Sequence, residues 1–233
     1  MTTNFPNGIS TADRGTELER LILPDPTQAH VYFNDFTTYV AGDWTITTTE
    51  GGTGNASEAL TNVAGGALLI TNDDADNDSD EFQLAVESFK FASGKKSWFK
   101  TRFKVSDATQ SDWIIGLCIT DTTLIDAMSD GVYFKKDDGD ASIDFALELN
   151  GSATEASGIA TQSDDTFVTL GWYFDGDTTN GIKYYVDGTH KGTQTTMTNL
   201  CTDEELAVSF ALQNGAAAAK TMTLDYIYAA QER

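Results

Sequence analysis

Carboxylates dominate what this chain could do chemically. The densest run is Asp73-Asp74-Ala75-Asp76-Asn77-Asp78-Ser79-Asp80-Glu81. Asp74, Asp76 and Asp78 fall at the first three ligand positions of a D-x-D-x-D calcium loop. Position six is Ser79 where that loop turns on glycine, and position twelve is Ala85 where a bidentate glutamate closes the cage. An EF-hand is therefore excluded. The run reads either as a solvated acidic loop or as a looser oxygen cage, with Asp74, Asp76 and Asp78 as calcium ligands. No other cofactor is required.

A second acidic pattern lies in Ile143-Asp144-Phe145-Ala146-Leu147-Glu148. Asp144 and Glu148 share a strand face, but at ~3.3 Å per residue their backbones stand about 13 Å apart. Glycoside hydrolysis wants carboxyl pairs ~5–5.5 Å apart for retention and ~6.5–9.5 Å apart for inversion. Neither His30 nor His190 sits in a recognisable nucleophile motif. No catalytic residues are assigned, and the expectation is a protein that is not an enzyme.

The bases are clustered. Lys95, Lys96, Lys100, Arg102 and Lys104 lie within ten residues of one another. Lys100, Arg102 and Lys104 alternate with Thr101 and Phe103, so one strand shows a cationic face while its other face packs inward. That face either pairs with acidic cross-strand neighbours, at ~0.2–1 kcal/mol per pair, or forms a seam against the acidic surface of a second copy. Trp44, Trp98, Trp113 and Trp172 could build a sugar platform. Alternation sends Trp113 and Trp172 to the core and leaves Trp98 as the exposed ring.

The elements that must hold these groups are strands. The chain has 233 residues, 40% of them hydrophobic, enough for a sizeable core. Its net charge of −22 repels nucleic acid and anionic lipid, and favours metal ions and cationic partners. The opening MTTNFPNGIS has no basic or apolar leader pattern, and no stretch approaches the ~18 apolar residues of a membrane helix. Neither a membrane nor nucleic acid is expected as a partner. Cys118 and Cys201 allow at most one bridge, and two buried thiols are the expectation.

All three prolines, Pro6, Pro24 and Pro26, precede residue 28. The rest is proline-free, as strands inside sheets should be. This divides the chain into an N-terminal arm over residues 1–28 and one β domain over 29–233. In the arm, residues 16–23 can form one or two helical turns with Leu18, Leu21 and Ile22 on one face. That face packs on its own domain or docks on another subunit.

From residue 29 onward the period is 2. Strands are predicted near 30–36, 43–48, 67–72, 81–91, 97–105, 112–120, 131–136, 142–149, 166–174, 181–187, 206–213 and 220–229, punctuated by Gly, Asn, Asp and Ser. A dozen strands at this spacing indicate an all-β, two-sheet antiparallel jelly-roll sandwich. Trp113, Ile115 and Leu117 alternate with Ile114, Gly116 and Cys118, so this strand must be covered on both faces. Ala207, Ser209, Ala211 and Gln213 leave one smooth, weakly polar sheet face, either a shallow platform or a surface that something covers.

Two segments carry a resemblance. Phe167-Val168-Thr169-Leu170-Gly171-Trp172-Tyr173-Phe174-Asp175-Gly176, followed by Ile182-Lys183-Tyr184-Tyr185-Val186-Asp187-Gly188, is similar to the strand–turn–strand signature of concanavalin-A-like and laminin-G-like jelly rolls. The closing Met222-Thr223-Leu224-Asp225-Tyr226-Ile227-Tyr228 resembles the last strand of laminarinase-like glucanases. Over nearly its full length, through Asn4-Phe5-Pro6-Asn7-Gly8, Tyr32-Phe33-Asn34-Asp35-Phe36 and residues 95–112, the chain also resembles tailed-phage virion structural or capsid-decoration proteins. That resemblance implies a non-enzymatic cement protein, made in the host cytoplasm and placed on the outer surface of a phage head. A homotrimer bound to the major capsid protein is the expected form, with Leu18, Leu21, Ile22, Lys100, Arg102 and Lys104 as interaction residues. The alternative is a virion-displayed, lectin-like module holding host-surface glycans.

Overall fold

The computed structural model describes residues 26–233, so Leu18, Leu21 and Ile22 lie outside the described residues. Among the described residues, fifteen strands form two sheets. The first has the order β13 (Thr189–Gln194), β12 (Ile182–Val186), β11 (Val168–Phe174), β6 (Ser97–Val105), β15 (Thr221–Glu232), β4 (Leu68–Thr71), β3 (Ser57–Leu60), with β1 (Ala29–Asn34) also paired to β15. The second has the order β10 (Ser152–Thr161), β9 (Ser142–Leu149), β8 (Gly131–Lys136), β7 (Ser111–Cys118), β14 (Ala207–Asn214), β5 (Ser79–Leu84), β2 (Trp44–Thr49). Every ladder is antiparallel. The fold is the all-β sandwich that the alternation requires.

Apolar side chains from the two inner faces meet in one core, which holds Trp113, Leu117, Val168, Trp172, Val208, Phe210 and Leu224. Aromatic pairs join it: Phe82 stacks on Phe210 at 4.8 Å, Trp113 meets Phe103 edge-on at 4.8 Å, and Trp172 stacks on Phe99 at 5.9 Å. Offset and edge-to-face rings of this kind contribute beyond their buried area. Cys118 and Cys201 are both buried and both free.

Three strands escape the sequence pattern: β3, β10 and β13. Ser-Ala-Thr-Glu-Ala-Ser-Gly-Ile-Ala-Thr in β10 has no apolar alternation, because no residue of this outer strand is fully buried. Partner strands rather than side-chain burial fix such edges. The strand predicted over 81–91 instead runs from Ser79 to Leu84. Among the described residues, α1 (Leu124–Ala127) is the α-helix, and no helix is long and apolar enough to cross a membrane. At the expected domain boundary, the Arg233 N–H donates to Gln28 O at 2.8 Å and Arg233 Nε to Pro26 O at 2.9 Å. The end of the expected arm is thus tied to the C-terminus.

Candidate functional site

A sandwich offers two outer sheet faces, and the two differ here. On the second sheet, the small side chains of Ser209 and Ala211, with Gly116 and Ala146 beside them, leave the smooth face that the sequence implies. Gly116 is required there, since a Cβ would sit 2.5 Å from Tyr133 Cα. The chain covers this face itself, with the β7–β8 loop and α1. Leu124 and Met128 pack against Ile114, Cys118, Tyr133, Ala146 and Ala211 in a second apolar cluster. Glu81 Oε2 accepts the Leu124 N–H at 2.7 Å, Gln83 Nε2 donates to Ile119 O at 2.8 Å, and Gln83 Oε1 accepts the Asp121 N–H at 2.9 Å. Burial pushes the Glu81 carboxyl up to about 7, against the opposing pull of the Leu124 and Ile125 N–H groups.

Asp144 and Glu148 do not meet as a catalytic pair. Asp144 Oδ1 accepts the Gly158 N–H at 2.7 Å, while Glu148 Oε2 accepts the Tyr133 hydroxyl at 2.5 Å. Tyr133 is register partner to Ala146, midway between them. Burial and the Glu148 carboxylate hold the Tyr133 phenol protonated, far above its ordinary range. Lys135 is ion-paired to Glu155 at 2.8 Å. Tyr133, Lys135, Glu148 and Glu155 line a small pocket of about 180 Å³ beside α1, and Asp144 is not part of it.

Among the described residues, the outer face of the first sheet is open. Ladder register sets side chains on it in rows. One row runs Phe33, Tyr228, Lys100, Gly171, Tyr185, His190 across β1, β15, β6, β11, β12 and β13. The next runs Val31, Ala230, Trp98, Tyr173, Lys183. Trp98 and Tyr173 stack at 5.6 Å and 30°, and both are half-buried. With Tyr185, Tyr228, Lys100, Thr169 and the bare backbone of Gly171 they line a groove of about 380 Å³. Gly171 is the floor: a Cβ there would stand 3.0 Å from Phe99 O and project into the groove. The exposed ring expected at Trp98 is part of this site. Its tyrosine partners carry a sequence signal too, at alternate positions of β11, β12 and β15, but only register shows that they converge.

The cationic strand divides. Arg102 pairs with Asp225 and lies 4.0 Å over the Phe167 ring, and Lys104 pairs with Asp165 at 3.0 Å. Lys100 has no carboxylate partner among the described residues, and its ammonium stands 5.8 Å from the Tyr226 ring centre.

The acidic run also divides. Asp74 and Asp76 point to solvent. Asp78 is 1% exposed, accepting the Gly51 N–H at 2.6 Å and the Ala75 N–H at 2.9 Å. A carboxylate oxygen of Asp78 lies within 4.8 Å of one from Asp73 and one from Glu50. Asp74 and Asp76 do not converge with Asp78: the tight turn that buries Asp78 throws them outward, and the residues that join it are Glu50 and Asp73. Glu50 Oε1 accepts the Ala56 N–H at 2.6 Å, while its buried Oε2 has no partner.

The fold and its two faces define a concanavalin-A-like jelly roll. No protein-family model matches the chain, and no curated protein matches it. Solved structures do. A protein of unknown function from Shewanella oneidensis aligns with TM-score 0.64 at 16% identity, over 96% of this chain and 97% of that one. An endo-1,3-beta-glucanase from Streptomyces sioyaensis gives 0.60 at 13% identity, over 91% and 99%. The carbohydrate recognition domain of Emp47p gives 0.61 at 14% identity, over 88% and 98%. At these identities the likeness shows the fold.

Proposed function

We propose that this chain is a non-catalytic carbohydrate-binding protein that holds a glycan in the groove on the outer face of its first sheet. The observation that carries the reading is the Trp98–Tyr173 stack beside Tyr185 and Tyr228 over the glycine floor. A pyranose ring has apolar C–H faces that lie well on an indole or phenol ring, and hydroxyls that need polar handles at the rim. Half-exposed Trp and Tyr supply both. Like-folded neighbours include a carbohydrate recognition domain and a glucanase. Asp144 and Glu148 are each engaged in a hydrogen bond of their own, with Gly158 and Tyr133, which argues for holding rather than cleaving. The test is tryptophan fluorescence titration with oligosaccharides: a saturable change lost in Trp98→Ala supports the reading, and no change with any glycan overturns it.

An assembly role on a virion is the second reading. Its support is β1, whose Val31 and Phe33 are 41% and 58% exposed on that same face, next to where residues 1–25 join. Exposed apolar edges of this kind invite a partner. In that reading the chain is a homotrimer on the outer surface of a phage head, seated on the major capsid protein through Lys100, Arg102, Lys104 and the arm. Light scattering and co-sedimentation with undecorated heads test it. Calcium, in either reading, would sit at Glu50, Asp73 and Asp78.

A further inference from the structure

The groove's charge says which glycan it suits. The chain carries 36 acids against 14 bases, yet among the described residues the single charged one lining the groove is Lys100. It occupies the middle of the aromatic row, flanked across the ladders by Tyr228 on one side and Gly171 then Tyr185 on the other. Lys183, register partner of Tyr173, adds a second exposed cation at the rim, also without a carboxylate partner among the described residues. Asp187, on the flanking turn, has its Oδ1 occupied by the Thr169 N–H at 2.9 Å. Arg102 and Lys104 on the same strand are neutralised by Asp225 and Asp165, so Lys100 is the cation of this strand face left for an incoming anion.

We infer that the groove takes an acidic polysaccharide, a chain of uronic acid residues whose carboxylate meets Lys100 while a sugar face lies on the Trp98–Tyr173 stack. This rests on the glycan reading above and goes beyond it in naming the ligand class. The placement follows from strand geometry. Trp98 and Lys100 are two residues apart on β6, and so ~6.6 Å apart on the same face. A uronate carries its carboxylate on the ring-edge carbon C5, so a ring stacked over Trp98 turns that group toward Lys100, whose flexible side chain spans the remaining distance. The exposed Lys100 ammonium favours such an anion through a charge-assisted hydrogen bond, and long-range repulsion from the acidic chain is screened beyond ~8 Å at physiological salt.

The experiment is calorimetric titration of the full-length protein at physiological salt with three hexasaccharides: a neutral β-glucan, a β-linked glucuronan and a sulfated glucan. Lys100→Gln and Lys100→Arg are run beside it, with thermal melts confirming that these surface variants are folded. The glucuronan is expected to bind about fivefold more tightly than the neutral chain, the size of one exposed ion pair. Lys100→Gln is expected to erase that margin, and Lys100→Arg to retain it. Equal binding of neutral and uronate chains, indifferent to Lys100→Gln, overturns the inference while leaving the glycan reading intact. Preference for the sulfated chain overturns the carboxylate assignment. Binding of none of the three overturns both. A doubling of mass by light scattering that Trp98→Ala reverses makes the groove an interface between copies and also overturns both.

Discussion

Glu81 and Leu124 are joined across 43 positions of sequence by a buried carboxylate-to-amide hydrogen bond of 2.7 Å. That bond seats the β7–β8 loop on the second sheet and closes the face that small residues had left smooth. It also buries an acid. The Glu81, Asp80 and Asp112 carboxyls are all pushed up, to about 7, about 6 and about 6, chiefly by burial.

A pH dependence follows from those three groups. Each binds its proton more tightly in the folded than in the unfolded chain, so its stabilising contribution is full below the ordinary carboxylate range of about 4 and is lost as pH rises through 6–7. Asp107 runs the other way: held down to about 2 by hydrogen bonds from Lys220, Gln110 and Thr109 against the cost of burial, it stabilises above about 4 and fails as pH falls toward 2. The melting temperature is therefore expected to be highest near pH 4–5 and to fall toward pH 8. Glu81→Gln should flatten the fall. A melting temperature that climbs steadily to pH 8 would contradict this.

Phe210 is fully buried, stacked on Phe82 and 5.0 Å from the Trp44 ring. Phe210→Ala removes both aromatic contacts at once and is expected to cost ~3–5 kcal/mol in urea unfolding. A loss under 1 kcal/mol would mean that the core can collapse around the gap.

Reducing-sugar assays on β-glucans should show no turnover. Asp144 accepts the Gly158 N–H and Glu148 the Tyr133 hydroxyl, so each carboxylate is engaged in a hydrogen bond of its own. Turnover abolished by Glu148→Gln would refute the non-catalytic reading.

Glu50, Asp73 and Asp78 set three carboxylates against one another with Glu50 Oε2 unpartnered. Millimolar calcium is expected to raise the melting temperature of the natural protein, since a ligand of the native state stabilises it. Glu50→Gln should raise it without calcium and remove the calcium response. Identical melts in calcium and in chelator would leave the cluster without a metal.

Deleting residues 1–25 is expected to leave the β-sheet circular dichroism intact, because β1 and the contacts of Pro26 and Gln28 to Arg233 are retained. Loss of the native oligomer or of capsid binding in that variant would support the assembly role. An unchanged oligomer and unchanged capsid binding would make the arm only a tail.

The sequence by itself determined the sandwich, its core and the outward direction of the Trp98 ring, because a period of 2 decides which side chains leave water. It showed Trp113 and Trp172 inside for the same reason, and it showed that the β7 strand is covered on both faces. What covers the second face was beyond it: nothing local in the sequence seats Leu124 there until Glu81, 43 positions earlier, accepts its backbone N–H. The acidic run shows the same division. Spacing along the chain groups Asp74, Asp76 and Asp78, but one tight turn sends the first two to solvent and brings Glu50 and Asp73 to the third. Likewise Trp98, Tyr173, Tyr185 and Tyr228 lie on four strands spread over 131 positions. Local pattern sets which face a side chain takes, whereas only ladder register and loop closure, which are long-range, set which side chains on that face become neighbours.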